Sequence, residues 1–317
     1  MAVSVRVGDR PEPRMGGALG AAVVSALLFA PLPLIPVLSC LAAVSPLPLI
    51  IQRLRRGLGS ALLSALLAAA LVGWAFWPGL ALGFLLTLVS PGLLLSEAMA
   101  RGRGLRRGCA WAFTLLTGEI VLALVFASPA IAPKVLEFFD ALRSPEFLAQ
   151  MRERLPQENV DAFAAQATAL YHVMEVVYPA AFVIMAALVV LANAALLRYY
   201  LARRDPGWLE GGEFEGIRWP LGFAVTFVAA GACVVVPPLR SAAYNVLLVV
   251  AFFFALQGLA VAAYFAHRLA GPAPLRAAVL ALVLLNPWAP QILALLGLFD
   301  TWFNFRSWAE PPRAEEK

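Results

Sequence analysis

The sequence predicts an all-α fold: a polytopic transmembrane helical bundle of eight to nine spans, with broken helices and an outer amphipathic helical insertion. Three observations carry this. First, 62% of the 317 residues are hydrophobic, 14% are charged and the mean hydropathy is +0.82. A soluble domain is about 45–50% apolar and about 25% charged, and a globule of this size cannot hide the difference. Second, the apolar runs are long and continuous, as at 58–77 and 178–197. A helical span needs about 20 apolar residues, whereas a barrel strand alternates over about 10. Third, arginines gather in short loops between the runs, as expected of cytoplasmic loops in a membrane protein.

The elements follow in order. Residues 1–14 read as a disordered cytoplasmic head, with Arg6, Arg10 and Arg14 ahead of the first apolar run. That run, 15–30, reads as an anchor retained as the first helix. Residues 15–128 hold helices one to five. Span two, 33–52, carries Pro36, Pro46 and Pro48. Proline removes a backbone donor and clashes with the preceding turn, so this span is expected to be kinked or partly unwound. Span three is 58–77. Span four is 80–100, broken at Ser90-Pro91-Gly92, and span five is 109–127.

Residues 129–170 are the extracytoplasmic amphipathic segment, with four basic and six acidic residues. Val135, Phe138, Phe139 and Leu142 share a helical face. Ser144-Pro145-Glu146 reads as a helix start: hydroxyl cap, proline at the first position, acid in the first turn. Residues 171–299 hold helices six to nine, with spans near 171–197 (or from Val160), 220–236, 242–266 and 275–299. Residues 300–317 form a polar tail.

With the head in the cytoplasm, the inner loops hold Arg53, Arg55 and Arg56, then Arg101, Arg103, Arg106 and Arg107, then Arg198, Arg203, Arg204 and Arg218, then Arg268 and Arg276. The outer loops hold no charge at 78–79, net −2 at 129–170 and one arginine at 237–241. This asymmetry orients the chain. Nine full crossings would place the tail outside, yet it carries Arg306, Arg313 and Lys317. Either the last segment, with Asn286-Pro287 and Pro290, is a re-entrant hairpin or the proline-rich second span is atypical. Eight full crossings plus one broken segment is the preferred reading.

Polar residues within spans are the candidate functional groups. An ionisable residue at mid-span costs about 2.5–3.5 kcal/mol on insertion scales. Glu119 sits halfway along span five beside Thr117 and Gly118, and could bind a cation, carry a proton or accept hydrogen bonds from a ligand. The bland alternative is a protonated carboxyl bonded to a neighbouring helix. Asn193, Asn245 and Gln257 are neutral and polar, suited to bridging helices or to lining a cavity with Glu119. Glu97 is spaced to pair with Arg101 at i, i+4. His172 and Glu175 share a face, but a metal site needs a third ligand. On the first helix, Gly16, Gly20, Ala18, Ala22 and Ala26 recur at four-residue spacing, which lets two helix backbones approach closely. Such contact serves packing within the chain or a membrane partner subunit.

No glycine-rich phosphate loop, HExxH, GxSxG elbow or paired-carboxylate motif occurs, so the sequence points away from an enzyme and calls for no cofactor. Cys40, Cys109 and Cys233 are far apart and form no CxxC, which argues against zinc. No basic stretch is interleaved with aromatics, which argues against nucleic acid. The expected partner is the lipid bilayer.

The closing stretch Leu295-Leu-Gly297-Leu-Phe-Asp300-Thr-Trp-Phe-Asn-Phe305-Arg306 resembles the end of the YybS-like family of uncharacterised bacterial membrane proteins. Size, proline-rich second segment and outer insertion are similar too. The resemblance implies a multi-pass protein of the bacterial plasma (inner) membrane, and the arginine asymmetry gives it a cytoplasmic N-terminus. The layout is distantly similar to substrate-binding subunits of energy-coupling-factor transporters. In those, small residues at four-residue spacing on the first helix dock a coupling subunit. Two readings stay open: a small-solute binding or transport component with a mid-membrane polar cavity, or a non-catalytic scaffold for envelope assembly or division machinery.

Overall fold

A computed structural model of the chain describes residues 15–34, 36–208, 214–268, 286 and 288–309. The head at 1–14, loop acids Glu210 and Glu213, Arg276, residues 275–285 of the ninth span, Pro287 and the tail at 310–317 lie outside the described residues. The fold is all-helical, with no strand among the described residues. Among the described residues, six helices are long and apolar enough to cross a membrane: Gly16–Leu34, Leu58–Ala75, Pro78–Ala100, Gly104–Arg152, Gln157–Arg204 and Pro237–Ala266. Leu221–Cys233 and Ala289–Phe303 are shorter apolar helices. The chain divides into two compact units, one of Met1–Phe126 with Met185–Gly211, the other of Ala127–Ile184 with Gly212–Lys317.

The first unit opens with α1 (Met15–Phe29). Ala18, Ala22, Ser25 and Phe29 are buried, at the i, i+4, i+7 and i+11 spacing of one helical face. That face packs on α2 (Leu47–Arg56) and α3 (Leu58–Ala75). Span two is broken as its prolines require: a 3₁₀ segment, Pro36–Val44, precedes α2. Its freed carbonyls are capped from other helices. Ser25 Oγ donates to Ser45 O at 2.6 Å, and Asn193 Nδ2 donates to Ala43 O at 2.7 Å. Burying irregular backbone in protein is what hydrocarbon demands. Next come α4 (Pro78–Phe84), a wide π-turn (Leu85–Val89) and α5 (Ser90–Ala100). The unit is completed by the first part of α6 (Gly104–Ala141) and the last part of α8 (Gln157–Arg204).

In sequence the outer segment reads as helices separate from spans five and six. Instead α6 runs 38 residues without interruption, about 57 Å at 1.5 Å per residue. It passes through Pro129 and Pro133. Similarly α8 begins at Gln157, close to the earlier of the two expected starts, Val160 and 171, and spans 48 residues, about 72 Å. Between them lies α7 (Pro145–Arg152), capped as its sequence predicts: Ser144 Oγ accepts from Phe147 N at 3.2 Å.

The second unit contains α9 (Leu221–Cys233), α10 (Arg240–Arg268) and α11 (Ala289–Phe303) besides the outer helical stretches. Helices α10 and α11 pack backbone to backbone. A Cβ on Gly258 would lie 1.9 Å from Leu293 O, and one on Gly297 would lie 1.9 Å from Phe254 O. Only glycine fits both crossing points.

Candidate functional site

The candidate site is built around Pro91. Its ring cannot donate to Thr87 O and clashes with it, so the turn before it widens. Ser90 N accordingly donates to Leu85 O, five residues back. The widened turn places Ser90 Oγ 2.6 Å from Leu86 O and 3.2 Å from Glu119 Oε1. Gly92 follows at a close approach: a Cβ there would lie 2.8 Å from the Pro46 side chain.

Glu119 is presented by α6. Gly108, Ala112 and Leu116 are its buried positions, one helical turn apart, and a Cβ on Gly108 would meet Leu95 O at 2.9 Å. Glu119 lies at the flank of that face, fifteen residues beyond Gly104 and so about 22 Å along the helix. Its Oε2 is enclosed without a hydrogen-bond partner, as is Thr117 Oγ1. Glu119 Oε2 and the Ser90 hydroxyl at the π-turn therefore lie together, whereas Thr117, two residues before Glu119, points about 200° away around α6.

Asn193 lies in the same unit. It donates to Ala43 O and to Val189 O at 2.8 Å, while its Oδ1 is buried and unpartnered. With Pro46, Pro91, Gly92 and Ala112 it lines a cavity of about 10 Å³. That is the lower bound for one water, far below the several hundred Å³ of an organic ligand's pocket. Thr117 and Glu119 do not line it.

Residues 22–301, which include Ser90, Glu119 and Asn193, match the model of a family described as predicted membrane protein (DUF2232). The chain belongs to this family. It is an integral membrane protein of helical-bundle architecture. No curated protein and no solved structure matches it.

The remaining expected residues of this family member fall as follows. On α1, Ala18 and Ala22 are buried within the chain's own packing, whereas Gly16 and Gly20 are exposed with open space at their Cβ positions, and Ala26 is partly buried. The five residues thus occupy two faces, because residues two apart lie about 200° apart on a helix. In the second unit, Asn245 is inserted into the α8 ladder beside Pro179. It accepts from Ala180 N at 2.8 Å and donates to Val176 O at 2.8 Å. Those two groups would otherwise bond each other across one turn.

Gln257 belongs to a network that the sequence does not announce. It accepts from Trp219 N at 2.9 Å and donates to Asp300 Oδ2 at 3.0 Å. Arg306 donates to the same oxygen at 2.7 Å and to Ile217 O at 2.9 Å. Phe305 N donates to Asp300 Oδ1 at 3.1 Å. The Asp300 and Arg306 side chains are only 0% and 6% exposed, although both read as polar tail in sequence. The left-handed Asn304 (φ 46°) ends α11 and turns the chain back so that Arg306 reaches Asp300. The available signal was the Asp300-to-Arg306 stretch, spaced beyond any within-helix pairing.

Glu97 pairs with Arg101 at 2.8 Å as its spacing predicts, and also with Arg53 at 2.6 Å. Arg53 comes from 44 residues away, beyond the reach of local pattern. His172 and Glu175 lie 3.7 Å apart, both exposed, and among the described residues no three metal-ligating side chains cluster. The His267 side chain lies outside the described residues.

Proposed function

We propose that the chain binds a small solute within the membrane, as a binding or transport component, with Glu119 as the central group. The observation that carries this is an enclosed acceptor left over at Glu119: its Oε1 accepts from Ser90 Oγ at 3.2 Å, while its Oε2 has no hydrogen-bond partner. A cation or a hydrogen-donating solute is the chemistry that such an oxygen takes. Asn193 supports the site indirectly by holding the broken second segment in place. Asn245 and Gln257 have their amides bonded to backbone and to Asp300, which fits a structural part. The setting is the bacterial plasma membrane with the N-terminus cytoplasmic, and the energy-coupling-factor analogy assigns exposed Gly16 and Gly20 to a membrane partner subunit.

Native mass spectrometry of protein taken from its own membranes tests this. A co-purified mass should be present in the wild type and in Glu97→Gln, and lost in Glu119→Gln. Equal behaviour of the two variants contradicts it. The water-sized cavity favours the second reading, a scaffold for envelope assembly or division machinery; for that reading the Gly16–Gly20 face matters and Glu119 does not.

A further inference from the structure

We propose that the arginine-rich end of the first unit is a binding surface for anionic phospholipid headgroups. Three segments far apart in sequence meet there: the end of α2, the 101–107 loop leading into α6, and the end of α8. Glu97 joins two of them, accepting from Arg53 and Arg101 at 2.6 and 2.8 Å. Arg55 joins the third, lying 3.6 Å from Asp205 and 5.3 Å from the Tyr200 ring centroid. Those two carboxylates are thereby engaged. Arg103, Arg106, Arg107, Arg203 and Arg204 remain exposed, and no carboxylate pairs with any of them among the described residues. Arg103 stacks over Trp111 at 5.0 Å and Arg203 over Tyr199 at 4.2 Å. Stacking restrains each guanidinium while leaving its N–H groups to an outside acceptor.

The chemistry favours a phosphodiester. Guanidinium binds phosphate oxygens with two parallel N–H groups. The arginines stand where apolar helix ends, with Trp111 and Tyr199 beside them, which is headgroup depth. Clustered arginines at that depth attract anionic lipid.

The test uses full-length protein in a neutral detergent, titrated with dioleoylphosphatidylglycerol or dioleoylphosphatidylcholine and read by native mass spectrometry. The anionic lipid is expected to be retained in preference, weakening as salt rises. Each surface arginine contributes about fivefold, so Arg103→Gln/Arg106→Gln/Arg107→Gln should lower retention by up to roughly 100-fold. The corresponding triple lysine variant keeps the charge but not the paired N–H groups, so its retention should fall between the wild type and the glutamine variant, which guards against a folding defect in the latter. Arg152→Gln/Arg154→Gln, in the second unit, should leave retention unchanged. Equal retention of both lipids, equal loss in both glutamine variants, or displacement by millimolar inorganic phosphate would each overturn the proposal. The last outcome would point to a free-phosphate site. Lipid retention in detergent does not depend on Glu119 or on which side the arginines face, so its failure is separable from that of the solute reading.

Discussion

Removing the Asp300 carboxylate should destabilise the second unit more than any other single polar change. In the native protein the carboxylate accepts from Arg306, Gln257 and Phe305 N. Asp300→Leu leaves the Arg306 guanidinium, 6% exposed, without its counter-charge. Breaking a buried pair by deleting one partner costs about 3–5 kcal/mol. Near 2–4 °C per kcal/mol for a body of this size, the melting temperature in detergent should fall by roughly 10 °C. The decisive arm is Asp300→Leu/Arg306→Met. Apolar replacement of both partners is often near neutral, so the double variant should recover most of the loss. Thermal unfolding followed by tryptophan fluorescence reads this directly, since Trp219 donates to Gln257 in the same network. A drop of under about 2 °C in the single variant, or a double variant worse than the single, would refute the reasoning.

Three other outcomes follow from the packing. Asn245→Leu removes the amide set between Val176 O and Ala180 N and should cost about 1–3 kcal/mol through unpaired backbone groups, with faster hydrogen exchange at Ala180 as the readout. Gly297→Val places side-chain atoms against Phe254 O, already 1.9 Å from an ideal Cβ; α10 and α11 must part, and a drop of several degrees in melting temperature is expected where Gly118→Val, with open space, shows little change. Glu97→Gln should weaken the hold on Arg53, whose side chain is 9% exposed, lowering stability by about 1–3 kcal/mol while leaving any co-purified solute in place.

Much of this was legible in the sequence, for physical reasons. Apolar runs longer than a bilayer is thick leave helices as the open solution, and the prolines at 36, 46 and 91 mark where hydrogen-bond ladders must break. The Ser144 cap and the Glu97–Arg101 pair are local, set by three- and four-residue spacing. What local pattern cannot give is pairing across the fold. Arg53 with Glu97, Asn193 with Ala43 and Arg306 with Ile217 are 44, 150 and 89 residues apart. Nor does composition show that helices continue past the bilayer, since an amphipathic stretch such as 135–142 reads the same whether it starts a new helix or extends an old one. At the candidate site, Glu119 stood out as a lone carboxylate in an apolar span, but Ser90 did not, because its role depends on the π-turn that Pro91 imposes.

The most direct measurement is proximity of positions 90 and 119 inside the membrane. In a background with Cys40, Cys109 and Cys233 replaced by alanine, Ser90→Cys/Glu119→Cys should be joined by a short membrane-permeant bifunctional thiol reagent in native membranes. Failure to join would place the carboxylate away from the widened turn and contradict the account.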